Sequence, residues 1–180
     1  MLFTYFGYSF LADRQSSLRF LGTHHVPSTL FHFYADLEFV QSSKISYVGK
    51  QFRRLLLGAG LVEKPKLETS VRSYALIGGC PSSDDNITEL GGERTAVITL
   101  AEFLYFIVNQ KCNDEGILQT NGDLTIAYVR NRFQQVCEVF AHADGISNGW
   151  GINAQIVNPR IKLNEPWEKG DHRVLSRVPY

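Results

Sequence analysis

Apolar and polar positions change period several times along this chain, and each change predicts an element. From Leu30 to Val40 they alternate, imperfectly, with Phe31, Phe33, Ala35, Leu37 and Phe39 on one parity, the spacing of a half-buried strand. The whole stretch from Leu18 to Val40 reads as extended, punctuated at Gly22, Pro27 and Ser28. The period then lengthens, and Ile45, Val48, Phe52, Leu55 and Leu56 fall at helical spacing. Ser43 stands where a cap opens such a helix, and Gly58 where a cap closes it. Lys50, Arg53 and Arg54 lie opposite the apolar stripe, so this helix is amphipathic with a basic outer face. Gly49 within it is a mild weakness. Thr69 to Ile77 returns to strand composition and stops at Gly78-Gly79-Cys80-Pro81. Ser82 to Gly92 is polar and rich in glycine, which predicts a mobile surface loop. A second helix is expected from Leu100 to Gln110, opened by a capping box of Thr99 and Glu102 and buried along Leu100, Phe103, Leu104 and Ile107.

The last third admits two periods. Asn121-Gly122 is a strong two-residue hairpin signal, since both central positions of a type I′ turn need positive φ. Further turn signals stand at Asp144-Gly145, Asn148-Gly149 and Glu168 to Asp171. Between them, Leu124 to Val129, Phe133 to Ala141, Trp150 to Val157 and His172 to Val178 make a β-meander of about five short strands, counting Gly116 to Thr120. Ile126, Val129, Phe133, Val136, Cys137 and Phe140 also fit a helical stripe. Their β-branched and aromatic character favours strands.

A resemblance supports the same choice. TLAEFLYFIVNQ, GILQTNGDLTIAYVR, GWGINAQIV and PWEKGDHRVLSR together resemble an uncharacterised family of short bacterial proteins. That family's pattern runs from a helix through a Leu-rich strand, an Asn-Gly or Asp-Gly turn, a Tyr-Val-Arg strand and a Trp-led strand to a closing Trp-x-x-Gly-x-x-Arg-Val-x-Ser-Arg. Trp167, Gly170, Arg173, Val174, Ser176 and Arg177 carry the closing pattern here. KISYVGKQFRRLLLG and ELGGERTAVITLAEF are also similar to upstream parts of the family, so the likeness covers most of residues 38–178. It implies strands in the last third and a bacterial or mobile-element origin, and it implies no activity.

Composition bounds the rest. At 180 residues, 44% hydrophobic and 20% charged, the chain has the size and composition of one folded domain that needs neither disulfide nor metal. Cys80, Cys112 and Cys137 are widely spaced with no Cys-x-x-Cys pair, which reads as free thiols in a reducing, cytoplasmic setting. The N-terminal MLFTYFGYSFLADRQ is apolar and aromatic but has no basic leader and is too short to span a bilayer. Phe3, Tyr5, Phe6, Tyr8 and Phe10 suit a first strand, and no membrane association is expected. The formal net charge is zero, although residues 44–72 are mainly basic and residues 84–115 mainly acidic. Two such blocks either neutralise each other or orient a partner.

Candidate chemistry is sparse. His24 and His25 are adjacent, so in a strand they face opposite ways and do not share a metal; His32 lies further along. No His-Glu-x-x-His, Gly-x-Ser-x-Gly or P-loop pattern occurs, and no cofactor is implied. Binding features are clearer. Lys50, Arg53 and Arg54 suit phosphate contacts. Trp150, Trp167, Arg173, Arg177 and Tyr180 interleave aromatics with arginine, as a base-stacking surface or a protein interface does, and as the packed end of a sheet also does. The expected architecture is therefore α+β: an antiparallel sheet or small barrel, with a C-terminal β-meander, packed against two amphipathic helices. The expected function is that of a non-catalytic interaction protein binding a protein or nucleic-acid assembly through the basic helix and the aromatic and Arg-rich C-terminal end. The alternatives are an enzyme centred on His24, His25 or His32, and a structural subunit of a homo-oligomer.

Overall fold

Runs of β-branched and aromatic residues at period two dominate this chain, and they form strands. A computed structural model describes residues 16–28, 32–36, 40, 44–58, 60–77, 82–145, 147–157 and 171–179. Its strands are β1 (Leu18–Val26), β2 (Phe33–Tyr34), β3 (Ile45–Val48), β4 (Val62–Glu63), β5 (Thr69–Leu76), β6 (Val97–Ile98), β7 (Thr125–Arg130), β8 (Val136–Asp144), β9 (Gly149–Ile156) and β10 (Arg173–Arg177). Eight of them form one sheet in the order β1-β5-β10-β7-β8-β9-β3, with β6 joined to β7, while β2 and β4 make a separate ribbon. Most neighbours are antiparallel; β10–β7, β6–β7 and β3–β9 are parallel. The sheet is open, with β1 and β3 at its two ends, so the barrel alternative is corrected.

Residues 124–141 are two strands, β7 and β8, as the side-chain types favoured. The meander, however, is β7–β8–β9 alone. β10 does not extend it but slots between β5 and β7, parallel to β7. Residues 116–120 form no strand, so Asn121-Gly122 makes no hairpin. The Asn121 side chain accepts the Asp123 amide and Gly122 takes φ +91° on the way into β7, an Asx turn without a second strand to pair. The hairpin turns lie elsewhere. Asn131 Oδ1 accepts the amides of Phe133 and Gln135 between β7 and β8. The segment from Asp144 to Asn148 joins β8 to β9, with Asn148 at φ +57°.

Helices cover both faces of the sheet. Thr69, Val71, Ser73 and Ala75 point to one face and Ser70, Arg72, Tyr74 and Leu76 to the other, the former set being the more buried. Against the first face pack α1, which opens as an α-helical turn (Lys50–Phe52) and continues as a π-helical one (Arg53–Leu57), and α4 (Leu100–Asn109). Phe52, Leu55, Leu56, Phe103, Leu104 and Ile107 meet Ala127, Val139, Ile152 and Trp150 there. Against the second face lie α2 (Ser83–Glu89) and α3 (Glu93–Ala96), whose Ile87, Leu90 and Ala96 pack on Ile126, Tyr128 and Val174. The Ser82–Gly92 loop expectation is thereby corrected. Ser82 and Asp85 make a reciprocal capping box, and Ile87 and Leu90 supply the apolar side that the polar composition masks.

Thr99 and Glu102 form the capping box of α4 that their spacing predicts. The basic helix begins later than its stripe suggested. Ile45 and Val48 belong to β3, and Gly49 is the N-cap. A Cβ at Gly49 would overlap the Asn153 side chain, so the glycine permits close approach of α1 to β9. Ser43, Cys80, Trp167, Tyr180 and the aromatic N-terminus lie outside the described residues. No helix among the described residues is long and apolar enough to cross a membrane.

Candidate interaction surface

α1 buries Phe52, Leu55 and Leu56 and turns Lys50, Arg53 and Arg54 to solvent. Leu57 falls on the basic side, half-buried. The turn that carries Arg53, Arg54 and Leu57 is π-helical, closed by the Gly58 amide donating to the Arg53 carbonyl at 2.6 Å; such turns recur at functional sites. Arg53 is steadied by its Nε donating to the Val48 carbonyl at 3.2 Å.

Beside Arg53 and Leu57 runs the β2–β4 ribbon, in which Phe33 pairs Glu63 and Tyr34 pairs Val62. The Ala35 amide, just past β2, donates to the Leu61 carbonyl at 3.0 Å and ties the ribbon's base. Between ribbon and helix opens a groove of about 530 Å³. Ala35, Leu57, Leu61 and Val62 give it aliphatic walls, Tyr34 stands on the rim, and Arg53 and Asp36 supply opposite charges. Tyr34 and Val62 remain 60% and 49% exposed, a large apolar exposure for so short a ribbon.

The C-terminal candidates are placed differently. Trp150 is fully buried, and its indole N–H donates to the Gln110 carbonyl at 3.1 Å, so it belongs to the core and presents nothing to a partner. Arg173 donates to the Gly116 carbonyl. Arg177 lies 3.6 Å from the Glu102 carboxylate and, with His25, Glu68 and Ser70, lines a smaller cavity of about 200 Å³ at the ends of β1, β5 and β10. These arginines lie on the first face of the sheet, and neither lines the α1 groove.

The histidines do not converge. His24 donates to or accepts from the Ser73 hydroxyl at 2.9 Å and stacks edge-on against Phe106 on the first face, while His25 pairs Ser70 on the other. Burial, then the charge of Arg173, hold the His24 imidazole below its ordinary range. His32 sits beside Tyr34 on the ribbon. Among the described residues no group of three or more His, Cys, Asp or Glu side chains is arranged to hold a metal ion. Cys112 and Cys137 are buried free thiols, and burial pushes the Cys137 thiol up to about 11, which keeps it protonated and unreactive.

A buried carboxylate, Glu102, and a half-buried one, Glu63, escaped the sequence pattern as centres. Glu102 accepts from Lys66 Nζ at 2.6 Å and Thr69 Oγ1 at 2.7 Å through one oxygen, and from the Thr99 amide at 2.6 Å through the other. Its neighbour Glu63 accepts the Leu100 and Ala101 amides at 2.7 and 2.8 Å. Burial pushes the Glu63 carboxyl up, and the two amides offset part of that. Three of the four oxygens bond the start of α4, and the fourth, Glu102 Oε1, ties it to Lys66 and Thr69. The ion pair Lys66–Glu102 also joins the basic and acidic blocks at one point.

Glu138 lies on the second face, 2% exposed. It accepts from Gln155 Nε2 at 2.6 Å and from Ser83, and among the described residues no cation pairs with it. Burial raises its carboxyl above the ordinary range, and the two hydrogen bonds only partly offset this. Because the folded-state pKa is raised, the folded form is penalised as pH climbs through the interval between the unfolded and the folded values. Glu138→Gln is therefore expected to stabilise the protein by about 1–2 kcal/mol at neutral pH, with no gain in acid where both side chains are neutral. Urea unfolding across that pH range checks it, and an equal gain at all pH values would rule out the ionisation as its source. The signal was a lone charge within the apolar run Val136-Cys137-Glu138-Val139.

Comparison of the chain with protein-family models, with curated proteins and with solved structures finds no match in any of the three.

Proposed function

We propose that this chain is a non-catalytic interaction protein that docks a partner, a protein or a nucleic-acid assembly, on the α1–ribbon groove. The observation that carries this reading is the conjunction of an aliphatic groove of about 530 Å³ with Arg53, one of the exposed basic residues of α1, in its lining. Apolar walls supply affinity and the cations supply orientation and partner choice. The carboxylates with perturbed titration are engaged in structural hydrogen bonds, which is the less usual arrangement for acid–base chemistry. Of the two surfaces expected from the sequence, exposure favours α1 over the C-terminal end.

The double reversal Arg53→Glu/Arg54→Glu is expected to abolish capture of partners that co-purify with the tagged wild-type chain. Both side chains are exposed, so folding is expected to change by no more than about 0.5 kcal/mol. Parallel captures at low and moderate salt, with and without nuclease, separate protein partners from nucleic acid. A partner set identical between the folded variant and the wild type would remove α1 from the binding surface. Light scattering on the same samples reports whether a second copy of the chain is the partner.

A further inference from the structure

Resting on that reading, we infer that the partner of the groove is a linear peptide segment in which an apolar side chain is flanked by carboxylates. The walls select for an aliphatic or aromatic side chain: Ala35, Leu57, Leu61 and Val62 offer methyl groups, and Leu57, half-buried against the main core, also lines the groove beside Arg53. A peptide that seats such a side chain runs its neighbouring residues past Arg53, which shares the exposed side of α1 with Lys50 and Arg54, so that Asp or Glu is matched there and Lys or Arg repelled. The same features count against nucleic acid. Sequence-tolerant binding of single strands uses several aromatic platforms in a positively charged track, whereas Tyr34 is the one aromatic among the described residues lining the groove. The chain's formal net charge of zero supplies no long-range attraction for a polyanion.

Selection of a displayed library of random linear peptides against the intact chain, with the Arg53→Glu/Arg54→Glu variant as counter-selection, tests the assignment. Enrichment of peptides with an apolar residue among Asp and Glu is expected. The enriched peptide, followed by fluorescence anisotropy, should lose about tenfold or more in affinity on Arg53→Glu/Arg54→Glu and again on Leu57→Asp, and should lose binding when its own apolar residue becomes Ser. Val62→Glu, at an exposed ribbon position, provides a second groove variant should Leu57→Asp unfold the chain. Enrichment of basic or uncharged peptides, or none above the counter-selected variant, overturns the peptide assignment. So does a single-stranded oligonucleotide that binds the wild type but not the reversal variant in the absence of peptide enrichment; that result leaves α1 as the binding surface. Failure of the whole groove reading is distinguishable, because only then does Arg53→Glu/Arg54→Glu leave the captured partners unchanged.

Discussion

Trp150→Ala is expected to destabilise the fold by about 3–5 kcal/mol, lowering the thermal midpoint by about 10 °C for a chain of this length. Two losses add. The indole is fully buried at the start of β9, between Ala143 of β8 and Ile45 of β3 in register, so truncation leaves a large void in the main core. It also removes the donor to the Gln110 carbonyl. Gln110 holds more than its own position: its side chain donates to the Asp114 and Leu118 carbonyls at 3.0 and 2.8 Å and accepts the Leu118 amide at 2.9 Å, so the 110–118 turn hangs on it. Trp150→Phe separates the two contributions. It keeps most of the packing, loses the hydrogen bond, and is expected to cost about 1–2 kcal/mol. Urea unfolding of both variants measures this, and a Trp150→Ala loss below 1 kcal/mol would contradict the interior placement.

Glu102→Gln carries the second large effect, a loss of about 2–4 kcal/mol. The neutral amide retains the size of the carboxylate but leaves Lys66 and Arg177 without their shared anion. The lower end of the range applies because those cations keep 29% and 25% of their side-chain exposure. Burial alone would push the Glu102 carboxyl up; the hydrogen bonds from Lys66, the Thr99 amide and Thr69, with the charge of Lys66, outweigh it and hold the group below its ordinary range. A depressed folded-state pKa means that the stabilisation is fully present above the unfolded carboxyl's titration and is lost as pH falls through the folded value. The gap between wild type and Glu102→Gln should thus be widest near neutral pH and close in acid. This is opposite in sign to Glu138→Gln, where removal of the charge stabilises, and the pair of variants measured together tests both assignments.

Part of the candidate surface was legible beforehand. The basic outer face of α1 follows from the spacing of Lys50, Arg53 and Arg54 against Phe52, Leu55 and Leu56, because helical geometry alone sorts those residues into two sides. The groove was not. Its opposite wall comes from a ribbon of two residue pairs, Phe33–Glu63 and Tyr34–Val62, too short to leave any periodicity. Trp150 could be read either as a stacking surface or as core, since an aromatic side chain suits both; its neighbours in β3 and β8 decide for core, and they are remote in sequence. The histidine pair illustrates the reverse case, for strand parity sends His24 and His25 to opposite faces as their adjacency requires.

Local interactions that close within a few residues were determined by the sequence itself: the Thr99–Glu102 box that opens α4 and the strand character of Thr69–Leu76, whereas residues 124–141 fitted both a helical period and strand-forming side-chain types. The box and the strand each depend on propensity or on a hydrogen bond between residues three apart, and those energies exist before the chain collapses. The tertiary structure alone decided the rest. It inserted β10 between β5 and β7 instead of beside β9, opened the sheet where a barrel was conceivable, withheld a hairpin from Asn121-Gly122, and buried Glu138 with no cation paired to it among the described residues. Those outcomes depend on which faces are covered and which edges are paired, quantities set by long-range packing that no window of sequence contains.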